Sequence, residues 1–175
     1  IKHTELYLSE YSNEHGNILS NKSGDHVAMS QNANINWKLT DVFDKEVIDG
    51  HLKLTYKEGT SKLFSEEKFE EFAPKMNTII QLIKDASGVV LLYSRFLDNG
   101  VIPLCVALES ILGYANYEKD KNLLKKASKS NNSPKYILLT SDEDLSDVTK
   151  RQDLIQQVNS DDNTEGDNIK VVVIN

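Results

Sequence analysis

From Phe69 onward the apolar residues alternate between two rhythms. "PKMNTIIQLIKDASG" sets Met76, Ile79, Ile80 and Ile83 on one helical face, with Pro74 at its start and Gly88 past its end, which predicts a helix. "VVLLYSRF" follows at once, too short for a helix and apolar enough for a strand covered on both faces. In "VIPLCVALESILGY" helical spacing returns at Val101, Leu104, Cys105, Leu108, Ile111 and Leu112, with Pro103 in the first turn and Gly113 as a stop. After the polar stretch "NYEKDKNLLKKASKSNNSP" a second apolar run appears as "KYILLTS". The segment "TKRQDLIQQVN" aligns Leu154, Ile155 and Val158, "SDDNTEGDN" interrupts it, and "IKVVVIN" closes the chain. Helix and strand alternate three times, with strands predicted at 89–93, 136–140 and 169–174. Such an order predicts right-handed βαβ crossovers, a parallel sheet and an α/β fold. In an open parallel sheet the chemistry collects beyond the carboxyl ends of the strands, here "YSRF", "LLTSDE" and whatever follows "VVVIN".

Residues 1–60 carry no such rhythm. They are rich in Asn, Ser and Lys, and Trp37, Leu39, Val42 and Phe43 stand as isolated apolar positions, so they read as an irregular arm or linker ahead of a domain at 61–175. With 175 residues, 39% of them hydrophobic, the chain is long enough for one sizeable core and an appendage. It begins without Met and ends in a buried-strand pattern, so a piece of a larger protein is expected. No apolar run approaches the roughly 20 residues that span a bilayer, and the first residues lack a signal-peptide core, so no membrane partner is expected. Cys105 is the single cysteine; it allows no intrachain disulfide, favours a reducing compartment and reads as a core residue.

The net charge of −7 argues against a free-standing binder that grips nucleic acid through a broad basic face, while leaving local contacts open. Acids cluster in "SEEKFEEF" and "TSDEDLSD"; "EKDKNLLKKASK" is mixed and basic toward its end. Familiar catalytic signatures are missing from the sequence: no Gly-x-x-x-x-Gly-Lys-Ser/Thr phosphate loop, no Gly-rich dinucleotide fingerprint, no nucleophile elbow. His3, His15, His26 and His51 have no metal-ligand spacing. Asp142, Glu143 and Asp144 fit either a carboxylate pair for acid–base or Mg2+ work or, more simply, a favourable charge at the N-terminus of the following helix.

Beyond pattern, three stretches carry a resemblance: the run from "PKMNTIIQLIKDASG" through "VVLLYSRFLDNG" to "VIPLCVALESILGY", then "YILLTSDE", then "KRQDLIQQVNSDDNTEGDNIKVVVIN". Together, over residues 73–175, they resemble the second RecA-like lobe of superfamily 2 helicases. The closest form is that of the helicase-like ATPases of large cytoplasmic DNA viruses, related to early transcription factors and to Swi/Snf-type translocases. "ELYLSEYSNEHGN" is weakly similar to the segment between the two lobes of such proteins. The resemblance implies a RecA-like three-layer domain truncated at motif V, from an ATP-dependent helicase or translocase of DNA or RNA. ATP and Mg2+ would be bound mainly by the first RecA-like lobe of the same parent chain, the partner of this one. A cytoplasmic site, in a viral factory or virion, and contact with transcription machinery are further implications.

The resemblance also assigns roles. Ser94 and Arg95 fall at the motif IV strand end and Thr140 on the threonine of the family's "LTGD", positions that contact backbone phosphates. Ser141 replaces the family's Gly, which puts close backbone approach to a phosphate in question, and Val158 replaces a Phe. Lys150 and Arg151 read either as a solvated helix face or as phosphate or inter-lobe contacts. Arg95 reads either as a phosphate contact or as one half of a salt bridge to a neighbouring helix, and Tyr93 and Phe96 as core or rim packing rather than base stacking. The alternative to a translocase lobe is a non-catalytic α/β interaction module.

Overall fold

The computed structural model describes residues 34–35, 37–126 and 133–175. After a single helical turn, α1 (Leu39–Val42), the chain forms the hairpin β1 (Phe43–Ile48) and β2 (His51–Tyr56), then α2 (Glu66–Phe72) and α3 (Pro74–Asp85). The second half runs β3 (Val90–Tyr93), α4 (Ile102–Ser110), β4 (Ala115–Asn116), β5 (Lys135–Leu139), α5 (Arg151–Val158) and β6 (Ile169–Ile174). β3 to β6 make a four-stranded sheet in the order β3-β6-β5-β4, and every neighbouring pair is parallel. The α/β fold and parallel pairing expected from the strand–helix alternation are therefore present, with the strands within one residue of their predicted bounds.

Alternation along the strands builds two cores. Tyr136 and Leu138 of β5, with Val171 and Val173 of β6, face the larger core that holds α3, α4 and the hairpin. Ile137 and Leu139 face the other way, where Ile169, Val172 and Leu154 of α5 join them. A register shift between Lys135 and Tyr136 adds one residue on β6, which is why Ile169 shares a face with Val172 despite the odd spacing. Because α5 covers β5 and β6 alone, the same face of edge strand β3 is open, and Leu91 is 66% exposed and Tyr93 74%.

The irregular arm expected through residue 60 is corrected for its described part. Residues 43–56 pair in register from Phe43↔Tyr56 to Ile48↔His51, around an Asp49–Gly50 turn in which both residues have positive φ, 51° and 73°. That is the geometry of a type I′ hairpin, which the Asp-Gly pair favours. Phe43 and Leu54 are buried to 1% exposure, and Phe43 packs with Trp37, Tyr56 and Phe64 at centroid distances of 4.8 to 6.4 Å. The hairpin is thus part of the domain core; residues 1–33 and 36 of the expected arm lie outside the described residues.

The described part of the polar insertion after α4, up to residue 126, is held by the same hairpin. Leu54 N donates to Leu123 O at 2.7 Å and Lys125 N to Leu54 O at 3.1 Å. Underneath lies Glu109, 1% exposed, whose carboxylate accepts from Leu123 N at 2.7 Å, Leu124 N at 2.8 Å and the Tyr136 hydroxyl at 2.6 Å. One acid therefore joins α4, the insertion and β5. Burial pushes its pKa up to about 7, against the opposing pull of the Tyr136, Leu124 and Leu123 hydrogen bonds and of the Lys53 charge. Cys105, on the same helix, is fully buried, and burial raises its thiol well above its ordinary range.

Candidate nucleic-acid interface at the carboxyl edge

A parallel sheet brings all its carboxyl ends to one edge, and three of them lie side by side here: Ser94 after β3, Asn175 after β6 and Thr140 after β5. Asn175 stitches them together. Its main-chain N donates to Leu139 O at 3.2 Å and its side-chain amide to Ser94 O at 2.8 Å. Ser94 and Thr140, two strands apart, are separated by about 10 Å on strand spacing alone.

The two hydroxyls expected to meet phosphate are turned inward. Ser94 Oγ accepts from Phe96 N at 3.3 Å and donates to Phe96 O at 3.2 Å, shaping the loop that enters α4. A Cβ on Gly100 would come within 2.1 Å of that Oγ, so glycine is what lets the loop close over the serine. Thr140 is fully buried; its Oγ1 accepts from Asp142 N at 3.2 Å. Both side chains build the edge rather than present a donor from it.

Among the described residues Arg95 makes no salt bridge to a helix; it is exposed, with its guanidinium carbon 4.9 Å from the centre of the Phe96 ring. Ser141 is exposed too. Lys150 is exposed and pairs with Glu118 at 3.2 Å, whereas Arg151 donates from Nη2 to Thr140 O at 3.1 Å and braces α5 against the end of β5. Asp142 to Asp144 do not cap a helix: Asp142 Oδ1 accepts from Asp144 N at 3.0 Å within a tight turn, and the capping acid is Asp147, which accepts from Thr149 N at 2.9 Å. Hydrogen bonds from Thr149 hold the Asp147 carboxyl below its ordinary pKa. No group of three or more His, Cys, Asp or Glu among the described residues is placed to hold a metal ion.

Next to the end of β3 is a cleft of about 290 Å3 floored by Met76 and Leu104 and lined by Lys75, Tyr93, Arg95 and Phe96. It contains two cations and no carboxylate, in a chain with 27 acids against 20 bases. By contrast, the cleft beside α5 carries Glu118 and Asp153, and the one beside the hairpin carries Glu46, Asp98, Asp142 and Asp144. Lys75 was not among the residues singled out from the sequence. Its signal was local: it sits in the first turn of α3, where the helix dipole disfavours a cation, and a helix leading into a parallel strand starts at that strand's carboxyl end.

The stretch "NSDDNTEGDNIKVVV" also has a physical account. Asn163, 1% exposed, donates from Nδ2 to Val158 O and Ile169 O, both at 3.1 Å, and accepts at Oδ1 from Asn168 N at 3.2 Å and Ile169 N at 2.7 Å. Gly166, at φ 70°, lies where a Cβ would come within 2.9 Å of the Gly88 backbone. These residues dock the turn before β6 against the turn before β3. No family model, curated protein or solved structure matches the chain. No helix among the described residues is long and apolar enough to cross a membrane.

Proposed function

We propose that this chain is a nucleic-acid-gripping α/β lobe of the helicase or translocase kind, meeting the sugar–phosphate backbone at the carboxyl edge of its sheet. The observation that carries the reading is the carboxylate-free cleft in which Lys75 and Arg95 flank the end of β3. Cations on a strand edge suit a backbone contact, which positions a strand without reading its sequence. The inward hydroxyls of Ser94 and Thr140 shift the expected contact to Arg95, Lys75 and the exposed Ser141. ATP and Mg2+ would be held by a first lobe acting with this one, since the sequence has no phosphate loop; the chain by itself is expected to hydrolyse no ATP. The family resemblance supports the same reading through its strand-end motifs.

A second reading, an interaction module without catalysis, draws on the open apolar face of β3. Leu91 and Val89, with Ile155 of α5, line a groove of about 540 Å3 there, larger than the cleft at the carboxyl edge. Binding of the 175-residue chain to labelled oligonucleotides of unrelated sequence separates the two. The lobe reading expects binding that weakens with salt and varies little with sequence. Absence of binding even at low salt contradicts it.

A further inference from the structure

We infer that the cleft between the hairpin and the turn after β5 docks a segment of another protein, one that carries an aliphatic side chain next to a Lys or Arg. The inference stands apart from the nucleic-acid reading, because this cleft has the opposite charge. Its floor is apolar: Val47 and Leu52, paired across the hairpin, meet Leu97, Ile102 and Leu145 around a volume of about 300 Å3. Ile102 and Leu145 are buried, but Val47 is 54% exposed and Leu52 and Leu97 are only partly buried. The fold therefore leaves apolar surface in water here, bounded by polar groups, which is the make-up of a docking site.

Charge decides what kind of segment fits. Of the four acids at this cleft, Glu46, Asp98, Asp142 and Asp144, two are answered within the molecule: Asp98 by Lys45 at 3.0 Å and Glu46 by Lys125. Among the described residues no cation pairs with Asp142, with Asp144 or with the exposed Glu143 between them. Unanswered carboxylates beside an apolar floor select a cationic partner and turn phosphate away. The walls are also set in advance. Leu52 N donates to Asp144 O at 2.8 Å, and Leu145 N and Ser146 N donate to Asp142 O at 3.1 and 3.0 Å, so the hairpin and the acidic turn hold each other and little ordering is left for binding to supply. A cleft of this size takes one or two side chains, which suits a short segment and a transient contact.

The test titrates the full 175-residue chain into three short fluorescent peptides of equal length, made of alternating Leu and Lys, Ser and Lys, or Leu and Glu, and reads anisotropy. The Leu–Lys peptide should bind, more weakly as salt rises, and the other two should bind roughly tenfold less tightly or worse. Val47→Ser, and Asp142→Asn combined with Asp144→Asn, should each weaken the Leu–Lys peptide by roughly 5-fold or more. Glu67→Gln combined with Glu70→Gln, which removes the same charge from exposed positions on α2, should leave it unchanged. Circular dichroism melting checks that each variant is folded. If the Asp142 variant is not, Asp144→Asn alone takes its place, since no hydrogen bond to the Asp144 side chain is formed among the described residues. If the Leu–Lys peptide binds no better than the Ser–Lys peptide, or Val47→Ser has no effect, the apolar floor plays no part and the inference is overturned. If the α2 variant weakens binding as much as the acidic-turn variant does, the attraction is to net charge and the inference is likewise overturned.

Discussion

The side-chain amide of Asn175 donates to the main-chain oxygen of Ser94 at 2.8 Å, tying the end of β6 to the end of β3 across the carboxyl edge of the sheet. Ser94 N in turn donates to Ile174 O at 3.0 Å, so the two strand ends hold each other in both directions. Asn175→Ala should cost about 1 kcal/mol of stability and speed hydrogen exchange at Ser94 N–H more than at the centre of β6. Unchanged exchange at Ser94 would show that the main-chain ladder alone holds the edge.

Phe43 tests whether the hairpin belongs to the domain. At 1% exposure within an aromatic cluster, its replacement by Ala should lower unfolding free energy by about 3 to 5 kcal/mol, in one cooperative transition read by denaturant titration. A loss below about 1 kcal/mol, the scale of an ordinary surface change, would mean that residues 43–56 are a loosely attached arm after all.

Glu109 gives the stability a pH dependence. Its folded-state pKa is raised from 4.5 to about 7, chiefly by burial, so the native state holds the proton more tightly than the unfolded chain. The sign follows: its contribution is full below pH 4.5, and it is lost as pH rises through about 7. Glu109→Gln cannot titrate and leaves one of the Leu123 and Leu124 amides facing a donor. The wild-type advantage over this variant in urea unfolding should therefore shrink as pH rises from 4.5 to 7. A constant or growing advantage over that window would show that the three hydrogen bonds to the carboxylate outweigh its burial.

The central strands and helices were legible because their signals are strong and local: unbroken apolar runs such as "VVLLY" and "IKVVVI", and helices punctuated by Pro74, Pro103, Gly88 and Gly113. The hairpin was not, since of its twelve paired residues just Phe43 and Leu54 are fully buried, too few to set up a period of two. The Asp49–Gly50 pair was the available sign, and it weighs more than the polar composition around it. Glu109 was hidden inside an apolar helix, where its partners come from an insertion with no pattern of its own. For the edge, position was readable and direction was not. The alternation that sends Val90 and Leu92 to the core also sends Leu91 and Tyr93 outward, but whether anything covers them depends on the reach of α5. Likewise Ser94 and Thr140 were placed at strand ends from the sequence, while the local backbone groups that claim their hydroxyls appear only once the loops are folded.

Arg95→Ala tests the central claim most directly, through the salt dependence of oligonucleotide binding and thermal stability measured on the same preparation. Loss of one phosphate contact should weaken binding about equally for unrelated sequences. It should also reduce the log–log salt slope by roughly 0.7 for a single strand or 0.9 for a duplex, with the melting temperature unchanged, because Arg95 is exposed and supports no buried group. An unchanged slope together with a lowered melting temperature would contradict a phosphate role and leave Arg95 as a brace for Phe96.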